Sequence, residues 1–134
     1  MQSELKQKFD AYPASVRPHL MRLRKTIFDV ATRHKLGPVA ESLKWGEPSY
    51  TVPGGSAVRL DWKPKNPQQY AVYFNCQSRL VPTFRELYGD RFCFQGNRAM
   101  VFDVGPLTEI EAFEHCILLA LTYHQVKHLP LLGN

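Results

Sequence analysis

The sequence predicts an α+β domain in which an antiparallel sheet of about five strands is flanked by N-terminal and C-terminal helices. Near each end of the chain, apolar residues recur at steps of three and four, which is typical of helices with one buried side. Between residues 49 and 104 the apolar pattern changes to a period of two, which is typical of strands. Strands and helices do not alternate, so a parallel nucleotide-binding sheet is not favoured. The 134 residues suffice for a single domain, residues 1–134, with its own core.

Two helices are predicted before residue 35. Ser3 is placed to cap a short first helix, which Tyr12-Pro13 ends. A longer helix is predicted from about Ala14 to His34, with Pro18 in its first turn, where a missing N–H is tolerated. Its predicted buried stripe consists of Val16, Leu20, Leu23, Ile27 and Val30 or Ala31.

The last helix is predicted to begin at a capping box. Thr108 can cap the first turn while Glu111 reaches back to it. The helix is expected to continue to about Lys127. Its predicted apolar stripe consists of Ile110, Phe113, Ile117, Leu121 and His124.

The strands lie between these helices, with one further helix predicted from about Arg79 to Tyr88. They are expected at 49–52, 57–63, 70–76, 92–95 and 98–104. The run at 70–76 is apolar on both sides and is expected to be a central strand. In the run at 57–63, Arg59, Asp61 and Lys63 are expected to face water. Gly96-Asn97 predicts a two-residue hairpin turn.

The segment Glu41–Tyr50 is the first candidate site. Pro38 and Gly46 suit the first turn and the end of a short helix, on which Glu41 would neighbour both Lys44 and Trp45. A carboxylate beside an aromatic ring and a cation predicts a ligand site, with Tyr50 as a further wall. The same pattern also fits a packed helix end, and an exposed Trp45 would weaken the ligand site.

Three further groups of residues are candidates. Arg98, where the hairpin returns to the sheet, could bind a carboxylate or phosphate, and Tyr73 and Asn75 could line the same cavity. His124 and His128 have a spacing that allows two imidazoles to bind one metal ion. The densest acidic group consists of Glu109, Glu111 and Glu114.

Charge and cysteine usage narrow the function classes. The net charge is +5, and six Lys or Arg residues against one acid lie between Arg17 and Lys35. That could be a nucleic-acid surface, but no motif of a nucleic-acid-binding family accompanies it, so a solvated helix face is favoured.

The cysteines do not form a disulfide or metal-knuckle pattern. They are therefore expected to be buried, reduced thiols at Cys76, Cys93 and Cys116. Without a signal-peptide pattern or a membrane-length apolar run, we expect a cytoplasmic location.

The chain resembles the YdhG-like family of small bacterial domains of unknown function, one branch of which has been called frataxin-like. The resemblance spans nearly the whole chain, and its most specific part is Glu41-x-x-Lys44-Trp45-Gly46-x-Pro48-x-Tyr50. It also includes Tyr12-Pro13, the Leu20-x-x-Leu23-Arg24 step, Val72-Tyr73-Phe74 and Gly96-Asn97-Arg98-Ala99. It implies an antiparallel sheet flanked by helices, a cavity near Trp45 and, for the frataxin-like branch, iron delivery to cluster or haem assembly. The basic net charge departs from the acidic surface which that role requires.

Three functional hypotheses follow. The first is a non-enzymatic protein that binds a small polar or anionic ligand or a partner protein at Glu41, Lys44, Trp45, Tyr50, Tyr73, Asn75 and Arg98, with no cofactor. The second is an iron chaperone that uses Glu109, Glu111 and Glu114 or His124 and His128. The third is a small enzyme with Glu41 as general base and Lys44 as its electrostatic partner. A homodimer is left open, since no heptad or edge pattern argues for one.

Overall fold

The computed structural model describes residues 1–134 and confirms the α+β class. It contains one more strand than expected, because the segment predicted as a helix at residue 41 forms the first strand. The helices are α1 (Ser3–Ala11), α2 (Arg17–Arg33), α3 (Leu80–Tyr88), α4 (Ile110–Leu121) and α5 (Tyr123–Val126). The strands are β1 (Ala40–Lys44), β2 (Glu47–Thr51), β3 (Val58–Asp61), β4 (Gln69–Tyr73), β5 (Cys93–Gln95) and β6 (Ala99–Asp103).

All six strands form one sheet in the order β1-β2-β3-β4-β6-β5, and every neighbouring pair is antiparallel. Strand β4 lies between β3 and β6, which confirms the interior position predicted from its apolar run. The β5–β6 hairpin differs from the prediction: its last pair joins Gln95 to Ala99, so the loop has three residues rather than two.

Helices cover one face of the sheet. Phe28 of α2 packs edge-to-face on Tyr50 of β2, and Phe113 of α4 packs in the same way on Phe102 of β6. The predicted stripe of α2 is buried in full, and Pro18 lies in its first turn, so both predictions are confirmed. We call this side of the sheet the helix-covered face and the opposite side the open face.

The helix ends differ from the sequence predictions. Ser3 lies inside α1, which begins after Gln2 without a side-chain cap, and α4 begins after Glu109 without the Thr108–Glu111 capping box. Ile110 and His124, which were expected on a buried stripe, are exposed.

The last helix is interrupted at Thr122 because a turn docks against its end. The carbonyls of the final turn would otherwise lack partners. The Ser56 N–H donates to the Ala120 carbonyl at 2.9 Å, and the His124 N–H donates to the Gly54 carbonyl at 3.0 Å. Gly55 is required at this approach, since an added Cβ would lie 2.6 Å from the Leu121 carbonyl oxygen. The chain therefore leaves the helical path and restarts as the short α5.

None of these helices combines the length and the apolar character needed to cross a membrane.

Candidate functional site

The β1–β2 hairpin decides where the first group of candidate residues points. Its two turn residues, Trp45 and Gly46, have φ angles of +56° and +75°. Positive φ at both central positions is the geometry of a type I′ turn, whose twist matches that of the flanking strands. The predicted helix from Glu41 is therefore wrong, and side chains alternate between the two faces instead. Glu41 pairs with Tyr50 in the register, while Lys44 pairs with Glu47.

On the helix-covered face, Glu41 forms a closed ion pair with Arg24. The guanidinium donates from Nε to Oε2 at 2.5 Å and from the terminal nitrogen to Oε1 at 2.9 Å, a bidentate fork. The Arg24 guanidinium also lies 4.7 Å from the centre of the Phe28 ring. Burial is the largest single influence and raises the pKa of the Glu41 carboxyl, but the hydrogen bonds and charge of Arg24, together with the nearby Tyr50 hydroxyl, lower that pKa overall.

Tyr50 lies beside this pair and is fully buried. Its hydroxyl lies close to the Glu41 carboxylate and the Arg24 guanidinium, but it forms no well-aligned hydrogen bond with either. Burial and that neighbouring carboxylate both raise the pKa of the Tyr50 hydroxyl. Glu41 and Tyr50 therefore belong to the packing between α2 and the sheet and do not reach the open face.

On the open face, two buried carboxylates share one lysine. Glu47 and Asp61 are each 5% exposed. Lys63 Nζ donates to Glu47 Oε2 at 2.9 Å and to Asp61 Oδ2 at 2.8 Å, while Arg59 Nε donates to Glu47 Oε1 at 2.9 Å. Burial lowers the pKa of the Lys63 ammonium, but the two carboxylates outweigh it and raise the pKa overall. Asp61, expected to face water, is instead part of this network.

The segment after α1 completes the network. The Tyr12 hydroxyl donates to Asp61 Oδ1 at 2.6 Å, and Lys8 Nζ lies 3.7 Å from the same oxygen. Burial and the hydrogen bond to Asp61 raise the pKa of the Tyr12 hydroxyl. Arg17 holds this segment in place by donating to the backbone carbonyls of Phe9, Asp10 and Tyr12.

A cavity of about 510 Å³ opens beside the network, and we call it the Trp45–Arg98 cavity. Its size lies in the usual range for small-molecule sites. Glu47 and Arg59 form its inner wall, and Ser56, which is 6% exposed, lines it without a side-chain hydrogen bond. The nine lining residues are Trp45, Glu47, Ser56, Ala57, Arg59, Phe74, Asn75, Cys76 and Arg98.

Arg98 is the one cation of this cavity that no carboxylate of the chain neutralises. Its carbonyl accepts the Phe74 N–H at 2.7 Å, which anchors the β5–β6 loop to the end of β4. Its guanidinium lies 5.0 Å from the centre of the Tyr73 ring, which orients it by a cation–π contact. The five N–H donors of Arg98 therefore remain free for an anion.

Trp45 is the most unusual side chain of the cavity. It is 90% exposed at the tip of the hairpin, where a residue other than glycine or asparagine rarely adopts a positive φ. Packing within the domain does not account for this side chain. The exposure of Trp45 was expected to weaken the ligand site, and it does rule out an enclosed pocket: Trp45 forms a rim rather than a wall.

The predicted ligand residues thus lie at three places. Trp45, Asn75 and Arg98 line one cavity, with Tyr73 beneath Arg98. Glu41 and Tyr50 lie on the other face, and Lys44 is exposed at the end of β1, opposite Glu47.

Glu47 and Arg59 were not predicted as site residues, and neither was the ion pair between Lys63 and Asp61. The alternation of Arg59, Asp61 and Lys63 was visible in the sequence. What the sequence did not show was that β2 would bring Glu47 beside them.

The proposed metal ligands do not come together. The structure contains no group of three or more His, Cys, Asp or Glu side chains at metal-binding separations. Glu109 pairs with Arg91, and Glu114 pairs with Arg33, while Glu111, His124 and His128 are exposed. Of the cysteines, only Cys116 is buried, so the expectation of three buried thiols is wrong for Cys76 and Cys93.

Comparison of the chain with models of protein families, with curated proteins and with solved structures gives no match.

Proposed function

We propose that this protein is a non-enzymatic binding protein for a small, planar, anionic ligand, which it holds in the Trp45–Arg98 cavity. The observation that carries the proposal is that two uncommitted groups line one cavity. These groups are an exposed indole and a guanidinium without an acidic partner. A planar ligand would stack on the indole while its carboxylate or phosphate accepts the parallel N–H bonds of Arg98.

The conformation of Trp45 supports a binding role. A positive φ at a non-glycine residue costs on the order of 1–3 kcal/mol, and such strain is often retained where a side chain serves function. Asn-Gly would form the same turn more easily. An exposed, strained tryptophan is explained when a ligand covers it.

The inner wall favours binding over catalysis. The one carboxylate in the wall, Glu47, already accepts hydrogen bonds from Arg59 and Lys63, and no histidine lines the cavity. Glu41, the general base of the enzyme hypothesis, is ion-paired on the opposite face with a lowered pKa, which makes it a weaker base. The iron-chaperone hypothesis and the YdhG-like resemblance stay predictions, and we propose a cytoplasmic location.

The proposal is tested by thermal unfolding with a panel of benzoate, indole-3-carboxylate, AMP and inorganic phosphate. A ligand present at a hundred times its dissociation constant adds about 2.7 kcal/mol to the free energy of unfolding. For a domain of this size, that corresponds to a rise in melting temperature of several degrees. We expect a shift with at least one planar anion and a smaller one with phosphate alone.

Two variants assign the site. Arg98→Gln should weaken binding of all the anions at least ten-fold, because a hydrogen-bonded charge contributes about 1.5–3 kcal/mol. Trp45→Ala should weaken binding of the planar ligands but not of phosphate. The matched control is Arg22→Gln, which removes the same charge from an exposed position on α2. Equal losses in Arg98→Gln and Arg22→Gln would indicate non-specific attraction. If no probe shifts the melting temperature, a partner protein becomes the better explanation for the exposed indole.

A further inference from the structure

A second cavity adjoins the first, and Arg98 stands between them. This cavity has a volume of about 460 Å³, and we call it the Lys65 cavity. Tyr73 lies beneath both cations at the boundary, with the Arg98 guanidinium 5.0 Å and the Lys63 ammonium 5.6 Å from its ring centre. The lining residues are Lys63, Lys65, Asn66, Tyr73, Gln95, Gly96, Arg98 and Ala99.

All the charged side chains that line the Lys65 cavity are cations. Three cations and no carboxylate line it. Lys63 is held by Glu47 and Asp61, but Lys65 is exposed and has no acidic partner, as is also true of Arg98. The side-chain amides of Asn66 and Gln95 supply neutral N–H donors at the same surface. Oxyanions are the ligands that such a lining favours.

We infer that the two cavities form one elongated site for a nucleoside polyphosphate. The base stacks on Trp45, one phosphate bridges to Arg98, and the next phosphate extends into the Lys65 cavity. This inference rests on the proposed function of the Trp45–Arg98 cavity and extends it. The expected ligand carries negative charge along a chain of phosphates rather than at one end of the molecule.

The arrangement of donors favours a phosphate chain over a single carboxylate. Arg98 is fixed over Tyr73, and its planar fork can bind an oxyanion bidentately. Lys65 is a flexible point charge, which suits a terminal phosphate whose position varies. A monoanion at Arg98 engages one of the two unpaired cations that line the Lys65 cavity, whereas a diphosphate can engage both.

The experiment compares adenosine, AMP, ADP and ATP by isothermal titration calorimetry at constant ionic strength, with quenching of tryptophan fluorescence as a second readout. We expect adenosine to bind most weakly and ADP to bind about five-fold more tightly than AMP, the size of one added ion pair. Lys65→Gln should abolish the advantage of ADP over AMP without changing the affinity for AMP. Lys127→Gln, a charge-matched change at an exposed lysine outside both cavities, should preserve the advantage.

The outcomes separate this inference from the proposed function. If AMP binds and Arg98→Gln removes that binding, but ADP gains nothing or Lys65→Gln has no effect, the polyphosphate inference fails and the proposed function stands. If no nucleotide binds while another planar anion does, the inference fails in the same way. If no planar anion binds, both fail. An affinity that rises with the length of oligo-dT, and not with the number of phosphates on adenosine, would replace the nucleotide by single-stranded nucleic acid.

Discussion

Glu41 and Glu47 leave the same β-hairpin on opposite faces of the sheet, and each meets a different surrounding. The Glu41 side chain is 11% exposed, and one guanidinium occupies both of its oxygens under the cover of α2. The Glu47 side chain is 7% exposed, and its oxygens are divided between Arg59, which is about as exposed as Arg24, and the half-exposed Lys63. Both of these cations line cavities. One hairpin therefore serves two purposes. The closed pair ties the sheet to α2, and the open network places cations where a ligand can reach them.

The largest expected effect separates the two glutamates directly. Glu41→Gln should lower the free energy of unfolding by about 3 kcal/mol, because it leaves the partly buried Arg24 without its counter-charge. Glu47→Gln should cost less, about 2 kcal/mol, because Lys63 is half-exposed and keeps Asp61 as its partner, so that only Arg59 loses its counter-charge. Urea unfolding of the two variants measures this difference. Equal losses would mean that both carboxylates are structural.

The pH dependence of the free energy of unfolding gives a second test of the structural role of Glu41. The pKa of Glu41 in the folded state is lowered below its ordinary value of 4.5. The unfolded chain therefore takes up a proton first as the pH falls. The stability that Glu41 contributes is present above about pH 4.5 and is lost as the pH falls through the lower, folded-state pKa. Urea midpoints between pH 3 and pH 7 should fall less steeply in Glu41→Gln than in the wild type, and parallel curves would contradict the assignment.

The hydroxyl groups of Tyr12 and Tyr50 have different surroundings, and removing each of them tests the difference between the two faces of the sheet. Tyr12→Phe should lower the free energy of unfolding by about 2 kcal/mol, because Asp61 loses a hydrogen bond in a buried position. Tyr50→Phe should change it by less than about 1 kcal/mol, because the removed hydroxyl is buried beside Glu41 without a well-aligned hydrogen bond. The same chemical change is thus expected to cost more at Tyr12 than at Tyr50. A loss in Tyr50→Phe as large as in Tyr12→Phe would show that the Tyr50 hydroxyl has a polar partner.

Much of the fold could be predicted from local patterns. The stripe of α2, the apolar run of β4 and the class of the domain each depend on residues close together in sequence, and all three were predicted correctly. The error at Glu41–Lys44 has a definite cause. The residues between Pro38 and Gly46 carry good helix formers, and strand pairing with β2 overrides that local preference.

The site was harder to predict than the fold because it depends on pairings between strands. Arg98, Asn75 and Trp45 could be selected one by one, from a turn, a strand end and an aromatic residue. Their meeting in one cavity depends on the order of the strands, and the link from Glu47 to Asp61 through Lys63 depends on the register. No periodicity within a single segment carries that information.

The smallest expected effect lies at the turn that joins the two regions. Trp45→Asn should raise the free energy of unfolding by about 1 kcal/mol, because asparagine adopts a positive φ more readily and Asn-Gly is the favoured type I′ pair. Gly46→Ala is the matched change at the neighbouring position, and it should lower the free energy of unfolding by about 1 kcal/mol, because alanine at a φ of +75° is strained. Urea unfolding measures both changes in the free energy of unfolding. The affinity of Trp45→Asn for the planar anions measures the contribution of the indole to binding. We expect Trp45→Asn to be the more stable protein and the weaker binder, because the residue that strains the turn is the one that would cover the ligand. A loss of stability in Trp45→Asn would instead assign the indole a packing role.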